Sequence, residues 1–130
     1  MFYLIVAEVH SINEAVLALE GQQSLLVDEG KLESALMRPQ MSAHYKEADL
    51  AHQTALLASG IALAHAFIDG NKRTALLAGR TFLALNGYRL ERAPLEFAEA
   101  ILALVNHTDS VEAAIHHLAE WIRTRLRPQS

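Results

Sequence analysis

Apolar residues recur at helical spacing over most of the chain. Between residues 8 and 19 they fall at Val9, Ile12, Val16 and Leu19, steps of three and four that put them on one side of an α-helix. Gly21, two glutamines and a serine break the pattern over residues 20–27, which reads as a loop. Asp28 then suits a helix N-cap, because a carboxylate accepts the free N–H groups of a first turn. The helix it opens carries Leu32, Leu36 and Met37 and is expected to stop near Arg38, since Pro39 disfavours helical geometry in the residue before it. Residues 39–47 have no clear period and are expected to form an exposed connection or flap.

The middle of the chain is more apolar. A helix that is apolar on most faces belongs at the centre of a bundle. Two such segments run from about Ala48 to Ala64 and from about Asn71 to Asn86, the second stopped by the Asn86-Gly87 pair. Pro94 suits the first turn of a helix over about 95–106. Residues of about 110–126 place Val111, Ile115, Leu118 and Ile122 on one face. The polar end of the chain, about 127–130, is expected to fray. The pattern predicts an all-α fold, one compact domain over 1–130, with about six helices and the two most apolar ones central.

Composition agrees. Of the 130 residues 52% are apolar, largely Ala and Leu, and only 6% are aromatic, which favours helix packed on helix over a sheet. A formal net charge of −4 speaks against direct nucleic-acid binding, which needs many cations facing phosphates. The absence of cysteine excludes disulfides, thiolate catalysis and Cys-ligated zinc. Met1 to Val9 lacks a basic start and is interrupted by Glu8, unlike a signal peptide. No apolar run reaches about 18 residues, so no membrane span is expected and a cytoplasmic protein is the default.

The two central segments are joined by His65-Ala66-Phe67-Ile68-Asp69-Gly70-Asn71-Lys72-Arg73, in which six of nine residues are polar, charged or glycine. Gly70 permits a tight turn and close approach of a ligand to the backbone. The helix start after it directs free N–H groups and a positive dipole end into one space, a natural anion site. Asn71 adds amide donors, and Lys72 and Arg73 add charge. Asp69 on the rim suits Mg²⁺, which takes one or two carboxylates together with phosphate oxygens and waters. His65 is the side chain best suited to accept a proton near neutral pH. Phe67 and Ile68 are expected to anchor the loop in the core. The plainer alternative makes His65 a helix-end imidazole bonded to Asp69, with Lys72 and Arg73 as a solvated first turn. Cations at a helix N-terminus are unfavourable without an anion, however. A base, a metal carboxylate and a phosphate nest in nine residues suggest transfer of a phosphate-containing group to a hydroxyl. Arg80, two turns beyond Arg73, is placed by the spacing either in the same cleft or in solvent. His10, His44, His52, His107 and the adjacent His116-His117 show no metal-ligand spacing.

This nonapeptide resembles the motif of the Fic/Doc family, His-Pro-Phe-x-Asp/Glu-Gly-Asn-Gly/Lys-Arg, and differs from the common form only at Ala66. Residues 28–39 and 71–87 are also similar to the Doc branch. The resemblance implies an all-α fold with the loop at an ATP site, catalysis by His65 with Asp69 and Lys72, Mg²⁺ on Asp69, and phosphates cradled by Gly70, Asn71, Lys72 and Arg73. AMP-transferring members usually carry Gly where Lys72 stands and a second arginine where Leu76 stands. Doc-type members share the features seen here and resemble kinases acting on elongation factor Tu, which arrests translation. The family's self-inhibitory motif has no match, the nearest stretch being Thr108 to Glu112 followed by Ala113. The resemblance then implies restraint by an antitoxin whose C-terminal segment docks as a helix. The readings that compete are a Fic-type AMP transferase and a non-catalytic nucleotide- or protein-binding module. An HD-type phosphohydrolase lacks its His-Asp dipeptide here.

Overall fold

A computed structural model describes residues 1–91 and 93–129, and of Ala93 and Pro94 the backbone alone. Six helices make up the body: α1 Val6–Ala18, α2 Glu29–Lys46, α3 Leu50–Ala64, α4 Asn71–Leu85, α5 Ala93–Val105 and α6 Val111–Arg125. The all-α expectation holds, and so does the order of helices. A short antiparallel ribbon, β1 Tyr88–Leu90 with β2 Leu126–Pro128, is the one regular sheet element among the described residues.

Helix α3 is the axis of the bundle. It packs against α2, α4, α5 and α6, and ten of its fifteen residues are buried. Its polar residues are buried only with partners. Gln53 accepts from the Tyr3 hydroxyl at 2.9 Å and donates to the Ala48 carbonyl at 2.9 Å, while Thr54 donates back to Leu50 at 2.8 Å. Small residues let its neighbours close in. A Cβ on Gly60 would lie 3.0 Å from the Ala35 Cβ, so α2 and α3 meet there nearly backbone to backbone. Asp49 caps α3 by accepting the His52 N–H at 2.9 Å, and Asp28 and Ser110 cap α2 and α6 in the same way.

Two expectations need correction. Helix α2 does not stop at Arg38 but runs through Pro39 to Lys46, so the segment read as an irregular flap is mostly exposed helix. The reason lies in the spacing: Leu32, Ala35, Leu36 and Pro39 are all buried and form one stripe at helical intervals, and the proline ring completes it. Packing outweighs the hydrogen bond that proline removes. The chain end does not fray at residues 127–129 either. Arg89 pairs with Arg127 and Leu90 with Leu126, Gln129 donates to the Gly87 carbonyl at 2.9 Å, and Glu91 and Arg127 form an ion pair at 2.9 Å. Ser130 lies outside the described residues. No helix among the described residues is long and apolar enough to cross a membrane.

Candidate functional site

The loop from His65 to Gly70 leaves α3 and enters α4 under unusual backbone constraint. His65 is the C-cap of α3 in the left-handed region, φ 52 and ψ 39, a conformation that suits helix ends but strains a side-chain-bearing residue. Its imidazole is exposed, and no hydrogen bond joins it to Asp69 among the described residues. The plainer reading of a bonded helix-end pair therefore does not hold. What fixes the strained backbone is the extended segment before α2. The Ala66 carbonyl accepts the N–H of Val27 at 2.8 Å and of Asp28 at 3.2 Å, Ile68 donates to Leu25 at 3.0 Å, and Leu26 bridges Phe67.

Within the loop Phe67 is buried, as expected, whereas Ile68 is 66% exposed and anchors nothing. The Asn71 side chain grips the Phe67 backbone twice, accepting its N–H at 3.2 Å and donating to its carbonyl at 2.9 Å. Its amide thus shapes the loop, and one Nδ2 hydrogen and the backbone N–H are left for a ligand. Gly70 makes the tight turn expected of it and lines the loop cavity. It takes φ +75, but a Cβ there would meet Asn13 Nδ2 and Leu17 Cδ2, each at 3.2 Å. The missing side chain makes room for α1.

Asn13 is the residue that sequence reasoning missed. It is fully buried, and its Nδ2 donates to the Asp69 carbonyl and the Thr74 hydroxyl, both at 3.0 Å, while its Oδ1 accepts from Ser24 at 2.5 Å. One side chain thereby ties α1, the loop and α4 together. A polar residue beside Ile12 in an apolar stripe was the only signal. Glu20, also unforeseen, forms an exposed ion pair with Arg73, so that cation already has a counter-charge.

The geometry at the start of α4 is as anticipated. Thr74 makes the first helical hydrogen bond, to Gly70 at 2.9 Å, and Gly70 supplies no side-chain cap. The N–H groups of Asn71, Lys72 and Arg73 have no partner among the described residues. They border a cavity of about 220 Å³ lined by His65, Ile68, Asp69, Gly70, Lys72 and Arg73 together with Ala62 and Asn71. That volume is below the roughly 300–1,000 Å³ of whole small-molecule sites, and fits a phosphate group with the rest of a ligand lying over the open side. Lys72 is exposed and forms no ion pair among the described residues. Asp69 is exposed too; its Oδ1 accepts the Gly70 N–H at 2.7 Å and its Oδ2 is uncommitted. No described group of three or more His, Asp or Glu could hold a metal by itself. A cation at Asp69 would have to share phosphate oxygens and waters, the coordination Mg²⁺ prefers. A larger cavity, of about 680 Å³ between α2, α3 and α6, gathers none of the loop residues. Arg80 does not line the loop cavity; it borders a separate one near the β-ribbon.

The site sits within the part of the chain that has known relatives. The model of the Fic/DOC family matches residues 3–83, from just before α1 to near the end of α4. A curated protein named Toxin Doc, from Mycolicibacterium smegmatis (strain ATCC 700084 / mc(2)155), is 43% identical over 72 residues, 54% of this chain and 55% of that protein. The chain thus spans about half the length of the curated relative it matches. With more than half of its residues under the family model, and the motif residues gathered at one helix start, this chain belongs to the Fic/DOC family.

Proposed function

We propose that this protein is a Doc-type toxin that transfers the terminal phosphate of ATP to a hydroxyl of a translation factor, elongation factor Tu, in the cytoplasm. The observation that carries the reading is the row of unpartnered N–H groups at Asn71, Lys72 and Arg73, opening on the same small cavity as His65, Asp69 and Lys72. A helix start with free donors stabilises the charge of a triphosphate, and the Lys72 ammonium adds to it. His65 takes the proton of the attacking hydroxyl, whose oxygen bonds to the terminal phosphorus while the bond to the bridging oxygen breaks and ADP leaves. Asp69 would hold Mg²⁺, which spreads the negative charge of the phosphates. Leu76, where AMP-transferring relatives carry a second arginine, is partly buried against the core and offers no charge for an AMP-transfer geometry.

Thr108 to Glu112, the nearest approach to a self-inhibitory motif, does not line the loop cavity. That supports restraint by a separate antitoxin docking as a helix, in keeping with the toxin name of the relative. The test is to incubate the protein with elongation factor Tu, ATP and Mg²⁺ and weigh the product. A gain of about 80 Da is expected for phosphate, and about 329 Da would mean AMP transfer. No adduct on elongation factor Tu or on any protein of a cell extract would leave a binding module and overturn the proposal.

A further inference from the structure

Helix α1 and the turn after it reach the start of α4 at successive levels. Asn13 donates to the Asp69 carbonyl and to the Thr74 hydroxyl. One turn further on, Val16 and Leu17 fill the space where a Cβ on Gly70 would lie. Beyond Ala18 the chain folds back on itself. The Glu20 N–H bonds the Leu17 carbonyl at 3.0 Å, Gly21 bonds Ala18 at 3.1 Å and Gln22 bonds Leu17 at 2.9 Å. This closed turn brings the Glu20 carboxylate against the Arg73 guanidinium, in the first turn of α4. The ion pair thus has a fixed base on each side: α1 is tied to the loop by Asn13, and Arg73 stands on the helix that the loop opens.

The contact holds Arg73 without covering the site. Arg73 lines the loop cavity, and Glu20 does not. The carboxylate takes a hydrogen bond from Nη1 alone, so the other guanidinium N–H groups are without a partner among the described residues. Lys72, by contrast, forms no ion pair among the described residues. One cation therefore brings free charge to the cavity and the other brings fixed direction. An arginine that swings freely loses rotamer freedom when it grips a phosphate, and a partner already holding it reduces that loss. Resting on the phosphate-transfer reading, we infer that Glu20 is a positioning residue: it holds the Arg73 guanidinium at the mouth of the loop cavity, set to bond the phosphates of a nucleotide, and touches no phosphate itself. A carboxylate acting the other way, by occupying the place of the anion, would have to line the cavity.

The experiment titrates ATP with Mg²⁺, and separately inorganic triphosphate, into the full chain by calorimetry, for the parent, E20A, R73A and E20A/R73A. The parent should bind both ligands, and R73A about tenfold or more weakly, the usual worth of a hydrogen bond to a charged group. E20A should bind about two- to fivefold more weakly than the parent, the scale of an exposed ion pair. The direction is diagnostic. Deleting a negative charge near an anion site strengthens binding through Coulomb attraction alone, so a loss is the mark of positioning. In the double variant the effect of E20A should vanish, because Glu20 acts only through Arg73. A local disturbance of the turn would instead persist in the R73A background. Binding by E20A as tight as the parent's or tighter, or a further loss on adding E20A to R73A, would overturn the inference and leave the phosphate-transfer reading standing. R73A that binds like the parent would do the same. A parent that binds neither ligand would bring down both.

Discussion

His65 and Asn13 show two ways in which a single side chain shapes the site. His65 is exposed, free of hydrogen bonds among the described residues, and held at φ 52 by the strands of chain around it rather than by its own ring. Replacing it with alanine should cost little stability and reduce transfer by about 10²–10⁴-fold, the usual worth of a positioned base. Growth arrest that persists undiminished in cells making H65A would remove its role as base. Asn13 works in the opposite manner, through burial. In N13A the Asp69 carbonyl and the Thr74 hydroxyl lose their donor beneath the loop, which should destabilise the fold by about 2–3 kcal/mol. Urea titration should show a lower midpoint with an unchanged slope, and an unchanged midpoint would mean that the network carries nothing. The two residues also differ in legibility. His65 could be read because its partners in chemistry follow within eight residues. Asn13 could not, because its partners stand 56 and 61 residues away and only the fold brings them together.

At the level of elements, the sequence reading succeeded wherever apolar spacing and end signals agreed, as at Asp28 and around α3 and α4. It failed at Pro39, where a local rule and the packing stripe disagreed and packing prevailed. The same disagreement makes a measurable forecast. A proline inside a helix costs about 3 kcal/mol, and losing its buried ring should give back roughly 1–1.5 kcal/mol of that. P39A should therefore raise stability by about 1–2 kcal/mol in chemical denaturation. A loss of stability instead would mean that the buried ring's packing outweighs the restored hydrogen bond. The loop's support was illegible for a related reason. Leu25 to Asp28 has no strand-like alternation, and its hydrogen bonds to Ala66 and Ile68 arise only because α2 and α3 fold side by side.

For the whole molecule the question is what keeps the last helix on the bundle, since α6 closes α3 on the side away from α4. The buried face of Ala114, Ile115, Leu118, Ala119 and Ile122 supplies the apolar part. A charged clasp adds to it: Arg123 donates from Nε to Asp49 at 2.8 Å and from its terminal nitrogen at 3.0 Å, at the very residue that caps α3. The hydrogen bonds from Arg123, opposed by partial burial and helped by the His52 N–H, hold the Asp49 carboxyl below its usual range, and Arg123 is raised in turn. A depressed carboxylate contributes stability that is fully present above its unfolded value, near 4, and is lost as the pH falls through the lower folded value. Replacing Arg123 with glutamine removes that contribution. Because both partners are partly exposed, the loss at neutral pH should be no more than about 1 kcal/mol. The gap in unfolding free energy between parent and R123Q should hold steady from neutrality down to about pH 5 and shrink below about pH 4 as Asp49 takes up its proton. A gap that widened on acidification would mean that Asp49 is not kept ionised by Arg123, and that α6 is held by its apolar face alone.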